Sequence, residues 1–143
     1  MAKSVWLKAT LLAFLVSGCA AMPPQPAIAP VLDAGNVEHY VWGEINDGWR
    51  FVDRADLSVI RERMKPGGKE VRHYHVKARQ FFYVLSGEFT MELNGVSHTL
   101  HPGQGIEIPP GSPHQAQNLS AADAEFMTIS QPTSKDDRVE APK

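Results

Sequence analysis

Residues 67–118 read GGKEVRHYHVKARQFFYVLSGEFTMELNGVSHTLHPGQGIEIPPGSPHQAQN. Within this stretch, short runs that alternate between apolar and polar residues are separated by glycine, proline and asparagine, which favour turns. The pair Asn94-Gly95 lies between two such runs and predicts a two-residue hairpin turn, because both residues tolerate positive φ. The same pattern extends the series to eight predicted strands, over residues 57–64, 70–75, 80–85, 88–93, 96–100, 105–108, 114–118 and 125–130. Strands this short and this closely spaced predict an all-β sandwich or barrel.

Composition narrows the classes of protein that remain. The chain has 143 residues, of which 43% are hydrophobic, so it is long enough for one domain with a real core and global disorder is excluded. With 14 basic and 16 acidic residues the net charge is −2. No nucleic-acid partner is therefore expected, because phosphate binding needs clustered Lys and Arg. The single cysteine, Cys19, excludes an internal disulfide framework and a structural zinc finger.

Three histidines have a spacing that suits a metal site. His73 and His75 are two residues apart on a predicted strand, so their side chains lie on the same face. His114 follows the stiff segment 109–113, which places it at the edge of another strand. Converging imidazoles suit one divalent transition metal ion, Zn, Ni, Fe or Mn. Taken alone, a histidine pair on a strand also fits surface residues or hydrogen-bonded core residues.

The spacing around these histidines forms two longer patterns. From Gly67 to Gly87 the chain reads G-x5-H-x-H-x4-Q-x6-G, and from Gly103 to Asn118 it reads G-x5-P-x-G-x2-H-x3-N. Together they resemble the two motifs of the cupin superfamily, and the second matches at every position. The resemblance implies a double-stranded β-helix, the cupin or jelly-roll barrel.

The resemblance also implies a set of metal ligands. His73, His75 and His114 match the three histidine ligands of the motifs, and Gln80 stands where the first motif usually has Glu. A glutamine offers a neutral carbonyl oxygen, so the ion would keep its full charge and polarise a substrate more strongly. This set looks like the three-His-one-Gln sites of small cupins that linearise unsaturated uronates. Two alternatives stay open, a three-His site with Gln80 outside the coordination sphere and a cupin without metal.

Three residues of the strand 57–64 are candidates for a catalytic role. By alternation, Glu62 lies on one face of this strand, and Arg61 and Arg63 lie on the other. The sequence does not tell which face lines the barrel. An inward Glu62 would carry protons, whereas an inward arginine would bind a substrate carboxylate. Surface positions or salt bridges are the alternative for all three.

The fold leaves the reaction open, because cupins include isomerases, decarboxylases, lyases, dioxygenases, sensors and storage proteins. The first hypothesis is a small metal-dependent enzyme, isomerase-like or lyase-like, that acts on a polar sugar acid or carbonyl metabolite. The second is an Fe(II) dioxygenase, and the third is a non-enzymatic module that binds metal or a small ligand. Residues 81–85 are apolar on both faces, which predicts cover on both faces and hence a homodimer.

The N-terminal residues have the pattern of an export signal. An apolar run over residues 9–16 is too short to span a bilayer and suits a secretory signal peptide. It ends in Val16-Ser17-Gly18-Cys19, which resembles the lipobox of bacterial lipoproteins and implies lipidation of Cys19. Because Ala20 follows instead of Asp, we expect an outer-membrane lipoprotein that faces the periplasm; a soluble periplasmic protein is the alternative. The predicted divisions are a signal peptide (1–18), a Pro-rich tether (19–35), the cupin domain (36–132) and a polar C-terminal tail (133–143) that frays.

We expect Cys19→Ser to leave the precursor uncleaved or the protein soluble, because the thiol is the atom that would carry the lipid. Fractionation of cells that express the wild type and the variant measures the outcome. A Cys19→Ser protein that still enters detergent extracts of the outer membrane would place the anchor elsewhere in the chain.

Overall fold

The computed structural model describes residues 31–142, which form eleven strands and no helix within that range. None of these residues belongs to a helix long and apolar enough to cross a membrane. The predicted signal peptide, most of the tether and Cys19 lie outside the described residues. The strands are β1 (Glu38–Trp42), β2 (Asn46–Arg54), β3 (Leu57–Met64), β4 (His73–His75), β5 (Arg79–Ser86), β6 (Phe89–Leu93), β7 (Val96–Leu100), β8 (Gly105–Ile108), β9 (His114–Gln117), β10 (Ala124–Gln131) and β11 (Arg138–Glu140).

The strands form two antiparallel sheets. The six-stranded sheet has the order β1-β2-β3-β10-β5-β8, and the five-stranded sheet has the order β11-β4-β9-β6-β7. From β3 to β10 the chain passes repeatedly from one sheet to the other, and buried residues of both sheets form one apolar cluster. This is the double-stranded β-helix, and it confirms the predicted all-β barrel.

The eight predicted strands are all present. β3, β7 and β8 have the predicted bounds, and most of the others differ by one or two residues. Asn94 and Gly95 have φ values of 52° and 87°, which confirms the predicted hairpin turn between β6 and β7. β1 and β2 were not predicted, because glycine, aspartate and asparagine interrupt the alternation there.

The C-terminal segment differs from the prediction. Instead of fraying throughout, residues 138–140 form β11, which pairs with β4 so that Arg138 lies opposite His75 and Glu140 opposite His73. Strand pairing uses backbone groups that every residue except proline carries. A polar sequence therefore forms this edge strand, and no apolar pattern in the sequence predicts it.

The faces of β5 have different environments. Phe82 and Val84 point into the barrel and are buried, whereas Phe81, Tyr83 and Leu85 point outward and are 39%, 40% and 41% exposed. The outward residues are uncovered in the single chain, so the homodimer stays a prediction.

An aromatic cluster joins the two sheets beneath the histidines. The Phe82 ring centroid lies 5.9 Å from that of Phe89 and 6.0 Å from that of Phe126, and Phe89 and Phe126 are 4.3 Å apart. Phe82 also meets the His114 ring at 6.3 Å. The apolar core thus supports the wall on which the histidines lie.

We expect Gly87→Ala to destabilise the protein more than Gly95→Ala. Both glycines have positive φ, 75° and 87°, so either alanine takes a left-handed conformation that costs about 1–2 kcal/mol. A methyl group at Gly87 would also collide with the backbone carbonyl of Asp123, whereas nothing lies within 4 Å of one at Gly95. Urea unfolding measures both losses, and equal losses would contradict the role given to the collision.

Candidate metal centre

The structure brings together the three histidines that the sequence singles out. His73 and His75 lie on β4, and His114 on β9 is directly opposite His73 in the β4–β9 register. All three are buried, and each offers a ring nitrogen that lies within 4.8 Å of those of the other two. Separations of this size fit three ligands around one ion, since a Zn–N bond is about 2.0–2.1 Å long.

Hydrogen bonds to backbone carbonyls fix two of the imidazoles. His73 Nδ1 donates to the carbonyl of Val71 at 2.8 Å, and His114 Nδ1 donates to the carbonyl of Ser112 at 2.9 Å. Because a carbonyl can only accept, each Nδ1 carries the proton and each Nε2 is left with a free lone pair. This is the arrangement in which metal-binding histidines are usually held.

Burial keeps these imidazoles neutral. It is the main cause that lowers the pKa of His73 to about 3 and that of His75 to about 4, and the neighbouring His114 lowers both further. Burial also lowers the pKa of His114. A neutral imidazole is the form that binds a metal ion.

Gln80 lies at the start of β5 and lines the same cavity as His73 and His75. Its Nε2 donates to Ser130 Oγ at 3.2 Å, and this bond directs the amide so that the carbonyl oxygen is left free. Among the described residues, neither Gln80 Oε1 nor His114 Nε2 has a hydrogen-bond partner, although both atoms are buried. Each such atom costs about 1–3 kcal/mol when left unsatisfied. Two unpaired acceptors and two further neutral imidazoles form a donor set that fits a divalent transition metal ion.

His73 and His75 line a polar cavity of about 310 Å³, and the ring centroid of His114 lies 4.3 Å from that of His73. Glu62 on β3 lines this cavity and is held at both carboxyl oxygens. Tyr40 donates to its Oε1 at 3.3 Å, and Thr128 donates to its Oε2 at 2.7 Å. Burial raises the pKa of Glu62 to about 7, against the lowering effect of these two hydrogen bonds. A carboxyl group with this pKa holds or releases a proton near neutral pH.

Arg61 and Arg63 lie on the other face of β3. Arg61 Nη2 donates to Glu125 Oε2 at 2.7 Å, and Arg63 Nη2 donates to Asp47 Oδ2 at 2.5 Å. Both arginines are therefore engaged in ion pairs outside the barrel. Of the three catalytic candidates, only Glu62 lines the cavity.

Tyr40 reaches Glu62 because the strand between them carries a glycine. In the register of β1, β2 and β3, Gly48 lies opposite Tyr40 on one side and opposite Glu62 on the other. A Cβ atom on Gly48 would lie 2.7 Å from the Tyr40 hydroxyl oxygen and closer still to the ring. The missing side chain thus lets the phenol cross β2.

Sequence reasoning missed most of the other residues that line the cavity, among them Tyr40, Arg50, Glu70 and Arg138. Burial, followed by the charge of Glu62, raises the pKa of Glu70 to about 8. Strict alternation along a strand would have placed Glu70 on the face opposite to that of His73, away from the cavity. Residues 70–72 are not a regular strand, however, so the alternation fails there. The Arg50 guanidinium lies 4.2 Å from the ring centroid of Tyr40.

Comparison with known proteins agrees with this geometry. Residues 60–130 match the family model of the cupin domain. The chain is 34% identical over 64 residues to Protein SchB of Streptomyces halstedii, a match that covers 45% of this chain and 46% of SchB. It is 30% identical over 95 residues to quercetin 2,3-dioxygenase of Bacillus subtilis, a match that covers 64% of this chain and 28% of that enzyme. The chain thus spans less than half the length of the curated relatives that it matches at 30% identity or more.

Solved structures share the barrel. KdgF from Halomonas sp. superposes with a TM-score of 0.68 at 21% identity, over 76% of this chain and 98% of that chain. A sugar phosphate isomerase of the cupin superfamily from Silicibacter pomeroyi superposes with a TM-score of 0.65 at 26% identity, over 73% of this chain and 76% of that chain.

The role of Gln80 can be tested with two substitutions. If its carbonyl oxygen is a ligand, Gln80→Glu should keep the ion and bind it more tightly, because a carboxylate adds Coulomb attraction. Gln80→Ala should weaken binding by about ten-fold or more, judged from the 10–100-fold cost of losing residues that merely support ligands. Competition against a chelator measures the three affinities, and equal values would place Gln80 outside the coordination sphere.

Proposed function

This chain belongs to the cupin superfamily, and from that premise we propose that it is a metal-dependent enzyme. In this proposal His73, His75, His114 and Gln80 hold one divalent transition metal ion. Glu62 is the acid–base residue, and the substrate is a small, oxygen-rich carbonyl compound such as a sugar acid. The reaction is an isomerisation or an elimination, both of which move protons next to a carbonyl group.

One observation carries the proposal. Gln80 Oε1, a buried acceptor without a hydrogen-bond partner among the described residues, lies at a polar cavity that also contains the Glu62 carboxyl group. A second such acceptor, His114 Nε2, belongs to the histidine cluster whose other two members, His73 and His75, line that cavity. Unpaired acceptors beside neutral imidazoles favour a cation, and a carboxyl with a pKa of about 7 favours proton transfer. Perturbed groups of complementary function in one cavity are typical of an active site.

The chain's own residues would divide the work as follows. A bound ion would supply Lewis-acid polarisation of a substrate oxygen. Glu62 holds or accepts the proton at its carboxyl, which the hydroxyl groups of Tyr40 and Thr128 orient through both oxygens. Arg50, which lines the cavity, supplies positive charge for an anionic group of the substrate.

A second candidate is an Fe(II) dioxygenase. It is favoured by the 30% identity to a quercetin 2,3-dioxygenase, although that match covers only 28% of the relative. Oxygen consumption by the iron-loaded protein with candidate substrates separates the two reactions. A non-enzymatic metal-binding or ligand-binding module would bind the ion or a ligand but turn over no compound with either Fe or Zn.

We also propose that the enzyme works as a homodimer anchored through Cys19 to the outer membrane, facing the periplasm. The uncovered Phe81, Tyr83 and Leu85 on the outer face of β5 support an interface between two copies.

The enzyme hypothesis predicts both a bound metal and a proton held by Glu62. Elemental analysis of protein purified without chelators should find one transition metal ion per chain. In the metal-free protein, the folded-state pKa of Glu62, about 7, lies above the ordinary value of 4.5. The Glu62 contribution to the free energy of unfolding should therefore fall as the pH rises from about 4.5 to about 7 and then level off. Glu70 lines the same cavity and its pKa is raised to about 8, so it adds a fall of its own over a similar pH range. Glu62→Gln should therefore make the total fall smaller without abolishing it, and should reduce metal-dependent turnover of sugar acids.

Glu125→Gln is the matched control, because Glu125 pairs with Arg61 on the outer face and is not among the residues that line the cavity. A protein without metal, or a Glu62→Gln variant that keeps the wild-type pH dependence and turnover, would contradict the proposal.

A further inference from the structure

The residues 133–140, here named the C-terminal strap, lie against the strand that carries two of the histidines. β11 within the strap pairs with β4 along its whole length, with Arg138 opposite His75 and Glu140 opposite His73. Elsewhere along β4 the backbone contacts are one register pair, between His73 and His114, and the hydrogen bond from the Gly111 N–H group to the His75 carbonyl at 2.7 Å. The strap therefore provides three of the four register pairs of β4.

Asp137 in the strap fixes the turn between His75 and Gln80. Its Oδ2 accepts hydrogen bonds from the backbone N–H groups of Lys77 at 2.9 Å and Ala78 at 2.8 Å. Its backbone carbonyl accepts the N–H group of Val76 at 3.3 Å. Three consecutive N–H groups of the turn are thus bound by one residue.

Arg138 supports the imidazole of His73 from behind. Its Nη2 donates to the carbonyl of Val71 at 2.9 Å, and the same carbonyl accepts His73 Nδ1–H at 2.8 Å. Its Nη1 lies 3.6 Å from Glu70 Oε1. The guanidinium therefore links two groups. One is the Val71 carbonyl, which orients His73, and the other is the Glu70 carboxyl, which lines the cavity.

Ser134 ends a chain of hydrogen bonds that begins at Gln80. Gln80 Nε2 donates to Ser130 Oγ at 3.2 Å, and Ser130 Oγ donates to Ser134 Oγ at 3.3 Å. This chain determines which end of the amide is free. The strap thus touches the supports of His73, His75 and Gln80 at four separate points.

We propose that the C-terminal strap positions the metal ligands on β4 and β5, with Asp137 and Arg138 as the main positioning residues. The inference rests on the proposed metal site. Ligands that are aligned before the ion arrives lose less conformational freedom on binding, so a fixed strap raises the affinity for the ion. Residues that support ligands in this way typically contribute 10–100-fold to metal affinity.

Asp137→Ala tests the inference directly. We expect it to weaken Zn²⁺ or Ni²⁺ binding by about ten-fold or more in chelator competition, because the turn between His75 and Gln80 loses two of its hydrogen bonds. Asp137→Asn keeps one carbonyl oxygen as an acceptor and should fall between Asp137→Ala and the wild type. Hydrogen exchange should become faster at the amides of Lys77 and Ala78 in the alanine variant.

Asp123→Ala is the matched control. Asp123 also has a carboxylate held by another part of the chain, here through ion pairs with Lys65 at 3.1 Å and Arg63 at 4.0 Å, but it lies outside the strap and these partners are on β3 or next to it. We expect this variant to keep the wild-type affinity, while the two alanine variants unfold at similar temperatures without metal.

The outcomes separate the two proposals. A wild-type protein that binds neither ion would overturn the metal site and the strap together. Metal binding that is equal in the wild type, Asp137→Ala and Asp123→Ala would overturn the strap alone. A loss of affinity that is equal in Asp137→Ala and Asp123→Ala would also overturn it, because the effect would then be general destabilisation.

Discussion

A buried imidazole needs a partner for each ring nitrogen, and among the described residues this cluster leaves His114 Nε2 without one. In His73 and His114 one nitrogen is satisfied by a backbone carbonyl two residues earlier in the chain. The same local geometry leaves the other nitrogen turned toward the shared centre. Unpaired acceptors at this centre lower the stability of the folded protein, and the rest of the fold compensates for that loss. Much of the nearby structure, from the turn after His75 to the amide of Gln80, keeps these atoms in place.

The apolar core and the polar site are built on the same strand faces. On β5 the inward side chains run from Gln80 to Phe82 and Val84, so one face passes from the site into the core. Phe82 touches both the aromatic cluster and the ring of His114. Close packing transmits small changes in shape. The position of Gln80 therefore depends on how well the core beneath it is filled.

The part of this site that the sequence predicts is the part that regular strands carry. Residues two apart on a strand share a face, and Asn-Gly favours a type I′ turn, so the shared face of His73 and His75 and the β6–β7 hairpin follow from local rules. Alternation separated Glu62 from Arg61 and Arg63 but did not tell which face was inside, since that depends on the partner sheet. Glu70 was not predicted to line the cavity because the backbone before β4 is irregular. Tyr40 was not predicted because it reaches the cavity across β2, at the position of Gly48. Arg138 was not predicted because it lies on β11, whose pairing uses backbone atoms and leaves no pattern in the sequence.

The two sheets contribute different chemistry to the cavity. The three histidines come from β4 and β9 of the five-stranded sheet, whereas Glu62, Tyr40 and Thr128 come from the six-stranded sheet. Of the four proposed ligands, Gln80 alone belongs to the six-stranded sheet. An ion bound by all four would thus act as a cross-link between the sheets, like a disulfide that forms only when metal is present. The ion would then raise the unfolding temperature by an amount that grows with its free concentration, so the barrel would be most stable where the metal is plentiful.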